Sequence, residues 1–244
     1  MTNALLMTAA LIALQPNIAD RFGPPPAPPT CSVTLTVAVA ERGDPLEELT
    51  YRYDAETQVW TFLAFNGAPP DQKELAEFEE NGRDGGDRSD DPLPPASYYA
   101  DSVAKLSDDW TLLSATDGEG PSLWALENLP DGTVIANGRD LSGNIRLSYL
   151  IEEGTTGPRV AVAAGQLKKR WRIPLIARID AFAIQRRFAP APVATGVPGA
   201  MLPVSEHVEI AADVLGRDRS AIIDTAFGDW DCRAGEAAAA EASD

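Results

Sequence analysis

The 244-residue sequence is poor in the side chains that most metal and catalytic sites use, with one histidine, His207, and two cysteines, Cys31 and Cys232. This supply is too small for zinc sites of four cysteines, of two cysteines with two histidines, or of three histidines. Cations are also scarce, since 20 Lys and Arg face 37 Asp and Glu. The net charge of −17 disfavours nonspecific binding of nucleic acid or anionic lipid by the whole surface. We therefore expect no metal, no nucleic-acid partner, and only local anion sites.

Common catalytic motifs are absent as well. The sequence contains no P-loop, GxGxxG, GxSxG, HExxH or EF-hand pattern, which mark phosphate, dinucleotide, acyl-transfer, zinc-protease and calcium chemistry. His207 lies in a predicted strand, where it shares a face with Glu209 and Ala211. A solvated histidine paired with a carboxylate is the simplest interpretation of that pattern. We predict a protein that is not an enzyme and needs no cofactor, because catalysis would require a polar constellation around His207 that the sequence does not display.

An N-terminal leader is indicated by residues 4–14 (ALLMTAALIAL), an uncharged run too short to span a bilayer but typical of a signal-peptide core. Residues 1–19 would then be removed on export to the periplasm. The proline-rich residues 20–30 that follow predict an extended tether. The alternative is a first apolar helix that docks on the domain.

Alternating apolar residues predict a mainly β domain over residues 31–232. Residues 32–40 place Val33, Leu35 and Val37 on one face, and residues 49–54 and 58–66 predict a hairpin. Further strands are predicted between short turns, at 110–115, 122–126, 133–136, 145–151, 159–164, 176–188, 204–214 and 220–227. This spacing favours an antiparallel sheet or barrel over a nucleotide-binding fold.

Two short helices interrupt the strands. One begins after Asp71 and carries Leu75 and Phe78 on one side. The second, residues 97–106, carries an apolar stripe of Tyr99, Val103 and Leu106. Between them, the acidic, glycine-rich residues 81–95 predict a mobile loop, and residues 233–244 predict a disordered tail.

The two cysteines are predicted to form a disulfide. Cys31 stands at the outer end of the first strand and Cys232 follows the last strand, so closing the sheet would bring them together. Export would permit the bond. The alternative is a pair of free thiols in a cytosolic protein.

Cations cluster in residues 159–187, where Asp180 is the one acid. Strand alternation predicts that Arg178, Phe182, Ile184 and Arg186 share a face, with an apolar centre and cationic ends. The functional interpretation is an anion-accepting rim beside an apolar surface. The alternative is that these arginines balance carboxylates of neighbouring strands.

The run VWTFLAFNGAPPDQKELAEF at residues 59–78 combines a Trp-bearing strand, an N-G-x-P-P turn and an x-E-L-x-x-F helix. It resembles the LolA/LolB-like lipoprotein carriers and the outer-membrane lipoprotein-sorting protein-like proteins of the bacterial periplasm. Later features are similar too: the L-x-G-x-I-R-L strand at 141–147, the basic segment through Arg172, and RIDAFAIQRRF leading to LPV at 202–204.

This resemblance implies a strongly curved antiparallel sheet forming an incomplete, half-open β-barrel, with helices at its mouth and an apolar interior that receives acyl chains. Leu75, Phe78 and Tyr99 would face the sheet from the helices, and Phe182, Ile184, Arg178 and Arg186 would complete the ligand site. The expected function is periplasmic, noncatalytic binding of a lipid or lipoprotein acyl chain. The alternative is an envelope protein–protein interaction module whose concavity is filled by its own helices.

Overall fold

The computed structural model describes residues 30–84, 109–115, 120–132, 135–136, 139–154, 157–173, 177–191 and 201–233. These residues are mainly β, with a helix α1 (Gln72–Asp84) and a short 3-10 helix (Ser142–Asn144). The strands are β1 (Thr30–Glu41), β2 (Glu47–Asp54), β3 (Val59–Phe65), β4 (Thr111–Ala115), β5 (Ser122–Leu126), β6 (Ile135–Ala136), β7 (Arg139–Asp140), β8 (Ile145–Gly154), β9 (Gly157–Leu167), β10 (Trp171–Ile173), β11 (Ala177–Pro190), β12 (Met201–Val214) and β13 (Arg217–Arg233).

One antiparallel sheet holds eleven of these strands, in the order β3-β2-β1-β13-β12-β11-β9-β8-β5-β4, with β10 pairing with β11. The short strands β6 and β7 pair only with each other in the part of the chain that the structure describes. The sheet does not close on itself, since β3 and β4 form its two edges. This confirms the predicted class, a mainly β protein built on a curved, open antiparallel sheet.

The two faces of the sheet differ in polarity because side chains alternate along each strand. The apolar face is the one that carries Val37 of β1, and cross-strand register places Ile223, Val208 and Ile184 on the same side. The polar face is the opposite one, and it carries Thr36, Ala38, Ser205 and His207.

The main core lies on the apolar face where β5, β8 and β9 meet. Its buried members are Trp110, Trp124, Leu126, Leu129, Ile145, Tyr149, Ile151, Val160, Ala163 and Phe188. Trp124 donates its indole N–H to Ser122 Oγ at 3.0 Å, which satisfies a buried polar group. This core anchors the β4–β9 half of the sheet.

At the opposite edge, α1 packs on the apolar face of β2 and β3. Asp71 begins the helix through a capping box, because its Oδ1 accepts from Glu74 N at 2.8 Å and its own N–H donates to Glu74 Oε2 at 2.7 Å. Phe78 then contacts Tyr51 and Phe62, at ring-centroid distances of 5.6 and 5.5 Å. The predicted helix and its cap are confirmed, and Phe78 faces the sheet.

The helix is longer than predicted. It runs to Asp84, so residues 81–84 are helical rather than part of the loop expected over 81–95. The rest of that loop, the expected helix at 97–106 with Tyr99, the leader, the tether up to residue 29, and the tail from residue 234 lie outside the described residues. Among the described residues, no helix has the length and apolarity needed to cross a membrane.

The predicted disulfide is present. Cys31 and Cys232 face each other in the β1–β13 register, and their sulfur atoms are 2.08 Å apart. Both cysteines are buried in a small cluster with Ala191 and Leu202. The bond therefore ties the first strand to the last, which are the third and fourth strands in the sheet order.

Candidate functional site

The centre of the apolar face carries aliphatic side chains that are only partly buried. Ile184, Val208, Ile223 and Val39 are direct cross-strand neighbours on β11, β12, β13 and β1. All four are half-buried, unlike the residues of the main core. Among the described residues, α1 packs on the β2–β3 edge and the main core lies in the other half, so these four side chains, the aliphatic row, form a partly exposed apolar strip between them.

The row of residues next to it along the strands is different, because it contains an ion pair. Arg186 of β11 and Glu206 of β12 are paired in register, two residues from Ile184 and Val208. Arg186 Nε lies 2.6 Å from Glu206 Oε2, and Nη2 contacts the same oxygen. The guanidinium carbon is 5.8 Å from the centroid of Phe227. Each charged side chain is only 16% exposed, so the pair is half-buried beside the aliphatic row.

Arg178 does not share this face, and the prediction that it lies with Phe182 and Arg186 is wrong. A β-bulge at Asp180 shifts the register of β11 against β12. Arg178 pairs with Asp213 whereas Phe182 pairs with Ile210, and residues three apart on β12 point to opposite faces. Arg178 therefore lies on the polar face.

Both arginines have carboxylate partners, as the alternative interpretation of the basic cluster predicts. Arg178 Nε donates to Asp180 Oδ1 at 2.9 Å, and its Nη2 lies 3.8 Å from Asp213. The hydrogen bond from Arg178 holds the pKa of Asp180 below its usual value. Arg170 adds a contact of 3.1 Å to the same carboxylate. The cations of residues 159–187 thus offset acids of the neighbouring strands at these positions.

The remaining predicted ligand residues are divided between the two halves of the apolar face. Phe182 is half-buried against the main core, and Ile184 belongs to the aliphatic row. Phe78 is engaged with Tyr51 and Phe62 beneath α1, while Leu75 is 39% exposed. Tyr99 lies outside the described residues.

The polar face holds a depression of about 530 Å³ that the sequence did not predict. It extends across five strands, because Glu48, Ala38, Asp224, His207 and Gln185 are successive neighbours from β2 to β11. Other residues that line it are Thr36, Arg187, Ser205 and Ala226 of the polar face, together with Glu206 and Thr225, which the register assigns to the apolar face.

His207 lies in this depression between two carboxylates. Its Nδ1 is 2.6 Å from Asp224 Oδ1 and its Nε2 is 3.1 Å from Glu209 Oε1. The bond to Asp224, and then that to Glu209, raises the pKa of His207 above its usual value. Both ring nitrogens therefore have a carboxylate partner. The Glu209 partner was predictable from alternation, whereas Asp224 required the register of β12 with β13.

No protein-family model matches the chain, and no curated protein matches it. The resemblance of residues 33–227 to LolA/LolB-like carriers therefore stays a prediction. Within the described residues, no group of three or more His, Cys, Asp or Glu side chains is arranged to hold a metal ion. The partly exposed aliphatic row with its adjacent ion pair is the candidate site.

Proposed function

We propose that the protein is a noncatalytic binding protein of the bacterial periplasm that holds a hydrophobic or amphiphilic ligand, such as a lipid or a lipoprotein acyl chain, against the apolar face. The observation that carries this proposal is the aliphatic row, four half-buried side chains in register on adjacent strands. An acyl chain laid across this row would remove its exposed apolar surface from water, which contributes about 25 cal/mol per Å².

The disulfide supports the exported location, because such bonds persist in oxidising compartments and are rare in the cytosol. The leader-like residues 1–19 are consistent with the same route. The LolA/LolB resemblance adds the expectation of an acyl-chain ligand.

A second candidate is an envelope interaction module whose apolar face is covered by its own chain. The specific observation in its favour is Phe78, which already packs a helix of this protein onto Tyr51 and Phe62. In that case the expected helix at 97–106 would occupy the aliphatic row, and the acidic or basic surfaces would contact a partner protein.

Native mass spectrometry of protein purified from a periplasmic extract, followed by solvent extraction, separates the two candidates. A binding protein is expected to carry an extra mass that extraction recovers as lipid, on a chain that lacks residues 1–19. A ligand-free mass together with no extractable lipid would refute the proposal and favour the interaction module. A full-length chain in the cytoplasmic fraction would refute the periplasmic location.

Two adjacent isoleucines of β13 provide a matched pair of variants. Ile223 belongs to the aliphatic row, whereas Ile222 points to the polar face, where it is 44% exposed. Ile223→Asn is expected to reduce the amount of retained lipid about tenfold, since a polar amide replaces an apolar contact. Ile222→Asn should retain lipid as the wild type does. Equal retention by the two variants would show that the ligand does not lie on the apolar face.

A further inference from the structure

We infer that the ligand on the apolar face has an anionic headgroup, which binds between Arg217 and Arg219 of β13. This inference rests on the proposed function and specifies the ligand class of the same site. The two arginines pair in register with Val214 and Ala212 of β12. These partners lie an even number of residues from Val208 of the aliphatic row, so both arginines share its face. They are about 7 Å apart along the strand, so their guanidinium groups can converge on one phosphate or carboxylate.

Neither arginine has a carboxylate partner among the described residues. Both are exposed, and they form no ion pair or side-chain hydrogen bond there. Asp218 lies between them in the chain but points to the polar face, where it pairs with Asp213. Glu41 of β1 is on the apolar face and forms no ion pair with either arginine. The cations that do have carboxylate partners include Lys73, Arg146, Arg170, Arg178 and Arg186.

An apolar track connects the two arginines with the aliphatic row. It consists of Ile210 and Ala212 of β12 and Ala221 of β13, which are partly buried residues of the same face. Along β13, Ile223 of the row is four residues from Arg219, which is about 13 Å. A ligand chain that lies on the row and follows this track would therefore bring its headgroup to the arginines while staying on apolar surface.

The local charges favour an anionic headgroup over a cationic or zwitterionic one. Each guanidinium is a planar donor with five N–H groups, which suits it to a phosphate or carboxylate, and two of them repel a cation. A zwitterionic headgroup would bind through its phosphate but would place its ammonium group beside the same arginines, which offsets part of the gain. The net charge of −17 disfavours an anion over the surface as a whole, so the attraction is confined to this pair.

The test offers the delipidated full protein vesicles that contain anionic phosphatidylglycerol and zwitterionic phosphatidylethanolamine with the same acyl chains, and measures the lipid retained after the vesicles are removed. The wild type is expected to retain phosphatidylglycerol about tenfold better. The double variant Arg217→Gln with Arg219→Gln should retain the two lipids equally. The double variant Arg172→Gln with Arg187→Gln is the matched control, because it removes the same charge from exposed positions of the polar face. It should keep the wild-type ratio.

Two further measurements separate a headgroup site from other anion sites. Inorganic phosphate alone, measured by calorimetry, is expected to bind at least about a hundredfold more weakly than the lipid, because it lacks the contacts of the acyl chain. Phosphate binding as tight as that of the lipid would show a free-anion site and overturn the headgroup assignment. Binding to the vesicle surface that the Arg217 and Arg219 variant loses, with the ratio of retained lipids unchanged, would show a membrane contact and overturn it too.

The remaining outcomes distinguish this inference from the proposed function. Equal retention of the two lipids by the wild type, or an unchanged ratio in the variant of Arg217 and Arg219, would overturn the headgroup assignment and leave the acyl-chain site intact. Retention of neither lipid by the wild type would overturn the proposed function itself.

Discussion

His207 of β12 contacts Asp224 of β13 through Nδ1 and Glu209 of its own strand through Nε2, and this arrangement makes folding stability depend on pH. The bonds to Asp224 and Glu209 raise its pKa, so the folded state favours the protonated ring. Its contribution is therefore fully present below the unfolded pKa of about 6.5 and is lost as the pH rises through the higher folded value. The effect on Tm should be on the order of 2 °C, because these groups are largely exposed.

The measurement is thermal unfolding across this pH range for the wild type and for His207→Gln. The variant should lack the loss of stability that the wild type shows above the unfolded pKa. Because His207 is the single histidine of the chain, its ring protons also give one titration curve by NMR. Superimposable pH profiles for the two proteins would show that the contacts of His207 with Asp224 and Glu209 contribute nothing to stability.

The turn of the β12–β13 hairpin places a leucine, Leu215, in a left-handed backbone conformation that leucine disfavours. Leu215 and Gly216 both have positive φ, 52° and 79°, between the paired residues Val214 and Arg217. Two-residue turns of this kind favour Asn before Gly, and a left-handed conformation costs most side chains about 1 to 2 kcal/mol. Leu215 is also 77% exposed, so little packing offsets that cost.

Leu215→Asn is accordingly expected to stabilise the protein, raising Tm by about 2 to 4 °C. Leu46→Asn is the matched control, since Leu46 is 64% exposed just before β2 and does not have a positive φ. Differential scanning calorimetry of the two variants decides the point. A gain of the same size in both would attribute it to lost surface hydrophobicity rather than to backbone conformation.

Strand β11 illustrates what alternation predicts and where it fails. The extent of the strand was anticipated within two residues, because apolar and polar residues alternate along most of it. The side assignment of Arg178 failed because the bulge at Asp180 adds a residue that alternation cannot represent. The sequence nevertheless contained a sign of the bulge. Ile179 and Phe182 are three residues apart and both lie on the apolar face, which regular alternation does not allow.

At the scale of the whole molecule, the disulfide closes a loop with a sequence separation of 201 residues. Chain-entropy arguments allow such a crosslink at most about 5 kcal/mol. Replacing Cys31 and Cys232 by Ser is expected to lower the free energy of unfolding towards that limit, as measured by urea denaturation. Reductant should lower the urea midpoint of the wild type and leave that of the double variant unchanged. An unaffected wild-type midpoint would contradict the prediction.

The order of strands is the part of the fold that no local pattern reveals. Alternation identifies a strand and its two faces, but the choice of partner depends on residues far apart in sequence, as when β1 lies between β2 and β13. The depression on the polar face arises from five strands in register, so its lining could not be assembled from the sequence. Local features, such as the Asp71 cap, were predictable because their partners are three residues away.

The pairing of Thr30 with Arg233 places the first residue of β1 beside the last residue of β13. The chain therefore enters β1 and leaves β13 at the same end of the sheet. That end is a strand length, about 40 Å, from the turn between β1 and β2. The disulfide between Cys31 and Cys232 also makes a covalent ring of the intervening chain. One cut by a protease inside this ring would therefore leave a single band in denaturing gel electrophoresis until a reducing agent is added.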